Sequence, residues 1–246
     1  AKIKKIAENK IITNLIKILN LSQEKDYTKE RNFNSLHYGK ILILCDQDVD
    51  GIHISGLIQN FFQHLFPSLL KRKQHFINSM QTPIVKLNYT ILETKQHKKV
   101  LFYNETNYNN FLQKNKHLIN ISMIKYYKGL GTSSNKDIKE SFGKKIIKFN
   151  LDDKVSSNMN KVFHQNFSNS RKRWLSNYSL SSNNNSLDWD FINSKQEKIY
   201  NISDFINTEL IKFSIDDCKR SIPNIMDGLK ESQRKVLFSC FKKKLN

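Results

Sequence analysis

The chain of 246 residues has few cysteines, and they are badly placed for cross-linking. Cys45, Cys218 and Cys240 lie far apart and form no C-x-x-C pair, which excludes a disulfide framework and a cysteine zinc site and fits a reducing compartment. Long apolar runs are absent as well. Nothing approaches the roughly 18 consecutive apolar residues that a membrane span needs, and the first residues lack the short apolar core of a signal peptide. No G-x-x-x-x-G-K-[ST] loop occurs, so a P-loop nucleotide site is excluded. No internal repeat is visible, which argues against a solenoid. Acidic residues are scarce relative to basic ones: 22 Asp and Glu stand against 41 Lys and Arg, for a formal net charge of +19. That imbalance points to a polyanionic partner, with nucleic acid first and an acidic membrane surface second. Abundant Asn, Lys and Ile also fit A·T-rich codons, so part of the charge reflects mutational bias.

Against this basic background, ILILCDQDVDG at residues 41–51 stands out. Ile41, Leu42, Ile43 and Leu44 read as a buried strand. It runs directly into Asp46, Asp48, Asp50 and Gly51. Three carboxylates at alternate positions repel one another at the mouth of a core strand. A hard divalent cation removes that cost, and Mg²⁺ is held by one or two carboxylates while it keeps waters for phosphate chemistry. The segment therefore suggests a Mg²⁺ site at the carboxyl end of an α/β sheet. Three other readings compete. D-x-D-x-D-G fits the start of an EF-hand loop, but its twelfth position is Leu57 instead of Glu. An acidic strand end of a P-loop enzyme would need the missing glycine loop. A surface acidic turn without function is the third.

The periodicity outlines the rest. Residues 2–20 predict a helix with a break near Asn9-Lys10, through Ile3, Ile6, Ile11, Ile12, Leu15, Ile16 and Leu19; residues 21–38 predict a loop. Ile54, Leu57, Ile58, Phe61, Phe62, Leu65 and Phe66 predict one buried helix face ended by Pro67. Short strands are expected between Phe76 and Tyr103, a helix over 107–113, and a strand at ISMIKYY. That strand leads into Lys128-Gly129-Leu130-Gly131-Thr132-Ser133, where glycine allows close approach to an anion. Ser134 or Asn135 can cap the following helix. Residues 176–198, rich in Ser and Asn, read as a linker or variable loop. A helix over ISDFINTELIKFS, with Ser203 as N-cap, precedes the turn-rich SIPNIMDGLK. The last helix, ESQRKVLFSCFKKK, is expected to turn Val236, Leu237, Cys240 and Phe241 inward.

Three separated segments now share one resemblance. YGKILILCDQDVDGIHISGLIQNFF resembles the metal-binding Toprim segment of type IIA DNA topoisomerases, KYYKGLGTSSNKDIKESF resembles their second signature, and RSIPNIMDGLKESQRKVLFSCFKK resembles the start of their winged-helix cleavage domain. Their order is the family's order, and the wording is closest to the eukaryotic topoisomerase II branch. The resemblance implies an α/β fold: a Toprim (Rossmann-like parallel sheet) segment lacking its first strand, with an α+β extension and the start of a winged-helix domain. The implied divisions are 1–77 for Toprim, 78–150 for its extension with the KGLGTS motif, 151–200 for a variable connector with a basic segment, and 201–246 for the winged-helix start.

The family's activity is passage of one DNA duplex through a transient, Mg²⁺-assisted double-strand break in another, driven by ATP. A tyrosine becomes joined to the DNA 5′ end. By this resemblance Asp46 and Asp48 are the primary Mg²⁺ ligands with Asp50 assisting, and Arg171, Lys172, Lys230 and Lys128 contact DNA. It also implies double-stranded DNA as partner, a homodimer, no membrane, a nuclear location, and ATP bound by an N-terminal domain outside these residues. The family's E-G-D-S-A segment and the tyrosine nucleophile are likewise expected outside them, so Tyr126 and Tyr127 are not the nucleophile. Ser55 stands where lysine is usual, and Glu231 where proline or a neutral residue is common. A non-enzymatic basic DNA-binding protein would not need Asp46, Asp48 and Asp50; a Toprim primase or nuclease would not carry RSIPNIMDGLK.

The 246 residues alone are therefore expected to be catalytically inactive, because a covalent route needs its nucleophile. Incubation with supercoiled plasmid, Mg²⁺ and ATP should give neither relaxed DNA nor protein joined to DNA ends. Either product, lost on mutating Asp46, would place a nucleophile within these residues.

Overall fold

In a computed structural model the protein is described at residues 8–72, 74–129, 131, 133–178 and 195–244. The expected helix positions Ile3 and Ile6 lie outside these residues, as do Leu130 and Thr132 of the glycine loop and 179–194 of the Ser/Asn-rich stretch. The break expected near Asn9 is a helix start. The Asn9 side chain accepts from the backbone N–H groups of Ile11 and Ile12, capping α1 (Lys10–Leu19). Asn20 ends α1 in the left-handed region at φ 57°. A short helix α2 (Glu30–Phe33) interrupts the loop that follows, and Tyr27 beside it is fully buried.

The central unit is β1 (Ile41–Leu44), α3 (Val49–Leu65), the short α4 (Pro67–Leu70) and β2 (Ile77–Met80). Two neighbouring parallel strands need a long crossover, and α3 supplies it. After β2 the chain forms β3 (Val85–Ile91), β4 (His97–Phe102), α5 (Glu105–Asn115) and β5 (Ile119–Tyr126), a separate antiparallel sheet in the order β4-β3-β5. α6 (Asn135–Ser141) and β6 (Lys145–Asn150) return the chain to the first sheet. Then follow α7 (Val155–Phe163), α8 (Ser168–Tyr178) and β7 (Gln196–Asn201). The first sheet has the order β1-β2-β6-β7. Its β1–β2 and β6–β7 pairings are parallel and β2–β6 is antiparallel, so the expected parallel sheet is a mixed one.

The predicted linker gives way at both ends: residues 176–178 are helical and 196–198 are strand. β7 survives as a strand because β6 satisfies its backbone along six residue pairs. The helix after β7 is also corrected. It runs as α9 (Ile202–Phe205), a π-helical turn at Ile206–Leu210, and α10 (Ile211–Ser221). Asn201, not Ser203, occupies the cap position. Ser203 lies in the first turn, where its backbone N–H and its hydroxyl both donate to the Asp152 carboxylate.

The main core lies between the first sheet and the helices, with Phe62, Leu69, Ile77, Ile206 and Leu210 fully or almost fully buried. Most of the apolar stripe predicted for α3 does face this core: Phe62 and the following Phe66 are buried, and Ile58, Phe61 and Leu65 pack against them, so only the start of the helix departs. Ile54 and Leu57 are exposed, while Gly51, Ser55, Gly56, Gln59 and Phe62 are buried. Close helix contact explains the choice: a Cβ on Gly56 would stand 3.0 Å from the Leu210 side chain, so small residues win this face. A second core under α5 joins Val85, Leu87, Val100, Phe102, Tyr108 and Ile119. α11 (Glu231–Lys242) overturns the inward face expected for it. Val236, Leu237 and Phe241 are exposed and Cys240 is only half-buried, because among the described residues nothing covers that side.

Candidate functional site

The chain leaves β1 through Cys45, Asp46, Gln47 and Asp48, and one atom-level constraint shapes this turn. A Cβ on Gly51 would lie 2.1 Å from the Asp46 carbonyl oxygen, so only glycine closes the loop against the helix start. Asp48 is the N-cap of α3, and its Oδ1 accepts from the Gly51 N–H at 2.8 Å. Asp46 is half-buried and Asp48 is exposed. Burial raises the Cys45 thiol pKa, and the Asp46 and Asp48 charges raise it further.

Asp50 turns elsewhere. Its two carboxylate oxygens accept from the Arg220 guanidinium at 2.5 and 3.0 Å. That bond, chiefly, lowers the Asp50 pKa. Among the described residues, no three His, Cys, Asp or Glu side chains converge as a metal site. The alternating carboxylates thus have three settings: Asp46 toward the opposite loop, Asp48 on the helix end, Asp50 on Arg220.

The opposite loop is the one after β5. Lys128 and Gly129 line a small cleft of about 80 Å³ together with Gln47 and Asp48. A Cβ on Gly129 would stand 2.6 Å from Asp46 Oδ2, so glycine lets this backbone approach the carboxylate. Lys128 is exposed. Asp46 also lines a larger cavity of about 290 Å³ with Ser79, Tyr103 and Lys212. Burial pushes the Tyr103 phenol up to about 12, and its oxygen has no partner among the described residues.

What pins the Lys128 loop is a group that the sequence reading passed over. Ser134 is indeed the N-cap of α6, but Asp137 completes a reciprocal capping box with it. Asp137 accepts from the Ser134 hydroxyl at 2.6 Å and the Tyr127 hydroxyl at 2.8 Å, and pairs with Lys125 at 2.6 Å and Lys86 at 3.0 Å. Glu140 accepts from Lys86 and Lys99 alongside. The Lys125 bond, followed by that of Ser134, holds the Asp137 carboxyl far below the usual range. Tyr127 is pushed up, first by burial and then by Asp137. The signal was present as S-x-x-D at residues 134–137.

The basic candidates separate by role. Arg171 donates to the carbonyls of Lys161, Val162 and His164 at 3.2, 3.4 and 2.7 Å. It therefore satisfies the carboxyl end of α7. Lys172, next to it on α8, is exposed. Lys230 is exposed too, at the start of α11 and two residues after Gly228, whose φ is +69°.

The chain matches the family model described as the C-terminal associated domain of TOPRIM over residues 80–218. It is 42% identical over 240 residues to DNA topoisomerase 2 of Invertebrate iridescent virus 6, which covers 95% of this chain and 21% of that protein. It is 39% identical to DNA topoisomerase 2-alpha of Gallus gallus, over 98% of this chain and 15% of that protein. The crystal structure of the Plasmodium falciparum topoisomerase II DNA-binding, cleavage and re-ligation domain superposes with a TM-score of 0.73 at 36% identity, over 100% of this chain and 32% of that one. The chain thus spans about a fifth or less of the length of these two curated relatives.

Asp137 gives a stability test. Its side chain and that of Lys86 are 7% and 8% exposed, so removing the anion leaves a buried cation short of a partner. Asp137→Asn should destabilise the fold by about 3 kcal/mol at neutral pH. A carboxyl whose pKa is lowered by folding stabilises above its unfolded pKa. The advantage of the native protein should therefore be full at neutral pH and shrink as pH falls below about 4. Urea unfolding midpoints of both proteins across pH read it; a difference that is flat from neutral to acid pH would refute it.

Proposed function

Because the chain belongs to the type II DNA topoisomerase family, through the C-terminal associated domain of TOPRIM, we propose that Asp46 and Asp48 hold the Mg²⁺ with which such an enzyme breaks duplex DNA. The observation that carries this reading is the meeting of two loops. Asp46 and Asp48 leave the mouth of β1, and Lys128-Gly129 closes on them from the second sheet. Two carboxylates suffice for Mg²⁺, which retains other positions for water and phosphate oxygens. Asp48 spends one oxygen on the helix cap, leaving the other for the ion. Asp50 has both oxygens on Arg220, so this reading gives the ion to Asp46 and Asp48 and gives Asp50 to the guanidinium.

When bound, the ion stabilises negative charge on the scissile phosphate and on the leaving 3′ oxygen. Lys128 adds a cation on the far wall of the same cleft, suited to a backbone phosphate. Lys172 and Lys230 are exposed and suited to phosphates farther along the duplex, whereas Arg171 keeps the end of α7 in place. Tyr127 is unsuited to nucleophilic attack: its hydroxyl donates to Asp137, which holds the phenol neutral. Tyr126 meets the Tyr108 hydroxyl at 3.2 Å. In this reading the nucleophile and the ATP site belong to other parts of the enzyme, which works as a homodimer in the nucleus, passing one duplex through a transient break in another.

In the full-length enzyme, Asp46→Ala or Asp48→Ala should nearly abolish Mg²⁺-dependent DNA cleavage and leave ATP hydrolysis in place. Wild-type cleavage by both variants would remove the proposed site. Asp48→Ala should also cost about 1 kcal/mol through the lost cap.

The chain itself should bind duplex DNA without sequence preference and weaken steeply as salt rises. Lys172→Ala should lower the slope of log affinity against log salt by about 1. A slope that Lys172→Ala does not change would move the DNA path away from α8.

A further inference from the structure

We propose that Arg220 is a positioning residue: through Asp50 it clasps the acidic loop to the carboxyl end of α10 and so fixes where residues 222–230 stand relative to the metal carboxylates. The proposal rests on Asp46 and Asp48 as the Mg²⁺ pair, and it makes Asp50 the anchor of the clasp instead of a ligand. Three observations carry it. Arg220 holds both Asp50 oxygens, a two-point contact that sets orientation as well as distance. A second contact ties the same two helices: the rings of His53 and Phe213 stack with centroids 3.9 Å apart and planes within 12°. Arg220 also lies 3.4 Å from Asp216 and 3.7 Å from Asp217, so its own helix holds the guanidinium ready.

Stability does not explain this arrangement. The Asp50 side chain is 54% exposed and that of Arg220 is 40% exposed, and exposed ion pairs contribute little to folding. Geometry does. Asp50 lies two residues from Asp48, and α10 ends at Ser221, directly after Arg220. The loop carrying Lys230 therefore departs from a point fixed on the metal loop. Both Asp50 oxygens are already held by a guanidinium, whereas Asp48 has one oxygen on the helix cap, which separates the role of Asp50 from that of its neighbour.

The test uses the full-length enzyme with Asp50→Asn, Arg220→Gln, the exchanged pair Asp50→Arg with Arg220→Asp, and Asp46→Asn as control. Electron paramagnetic resonance follows Mn²⁺ binding, hydrogen exchange follows residues 222–230, and Mg²⁺-dependent cleavage is measured at saturating metal. Asp50→Asn and Arg220→Gln should keep wild-type Mn²⁺ affinity, exchange faster over 222–230, and cleave at least about tenfold more slowly, because small displacements near reacting atoms are costly. The exchanged pair should recover most of the cleavage and of the protection. Loss of Mn²⁺ affinity in Asp50→Asn comparable to that in Asp46→Asn would make Asp50 a ligand and overturn the proposal. Unaltered exchange over 222–230 in both single variants would overturn it as well. Normal Mn²⁺ binding by Asp46→Asn would sink the metal reading alone, since exchange and rescue still decide whether the clasp acts.

Discussion

The absence of a side chain at residue 51 is the constraint on which the site depends. The Asp46 carbonyl occupies the space that any Cβ there would need. With glycine, the chain passes from β1 into α3 in a single tight turn, and the three carboxylates fall in three directions. Asp48 accepts from the Gly51 N–H of α3, Asp46 meets Gly129, and Asp50 projects to Arg220. A longer turn would relieve the repulsion among these carboxylates by spreading them apart. The short one leads straight into the helix cap that Asp48 supplies through the Gly51 N–H.

A second glycine completes the arrangement from a different sheet. Gly129 belongs to the loop after β5. The Asp137 carboxylate holds it, bonded to a hydroxyl on either side of the glycines and to lysines from β3 and β5. At the site the two sheets meet through polar groups, while Leu101 of β4 and Tyr103 join the main apolar core behind it. Such a network costs desolvation and is weak evidence for stability. Its value here is geometric, since it fixes Lys128 and Gly129 against Asp46.

How far the sequence could be read follows the same division. β1, the acidic turn and the start of α3 were legible because strong local signals agreed: a branched apolar run, capping residues and an obligatory glycine. The cap at Ser134 or Asn135 was legible for the same reason, whereas Asn9 marks only a break in the sequence pattern and its capping role came with the fold. β6 and β7 were not legible. KIIKFN is short and one-third basic, and QEKIYN follows a Ser/Asn-rich stretch, so β6 is a strand chiefly through its partners β2 and β7, and β7 through β6. On α3 only Ile54 and Leu57 leave the predicted face, because close contact with Leu210 favours Gly56 at the start of that helix. The Arg220–Asp50 pair spans 170 residues, beyond any periodicity. The role of Asp50, which needs so distant a partner, came only with the fold, as did the capping of nearby carbonyls by Arg171.

Net charge is the last quantity that the fold reinterprets. A formal +19 suggests a uniformly cationic surface. Much of the cation inventory is committed within the molecule, however. Lys86 and Lys125 serve Asp137, Lys99 serves Glu140, Arg72 pairs with Glu30, Arg234 with Asp227, and Arg171 holds backbone carbonyls. These groups cannot meet phosphate without giving up a partner, so they add little to counterion release on binding. The exposed Lys128, Lys172 and Lys230 lie on the Gly129 loop, on α8 and at the start of α11, three separate elements. A nucleic-acid path built from them is defined by where the fold places a few cations, and the total charge sets mainly how fast a duplex arrives.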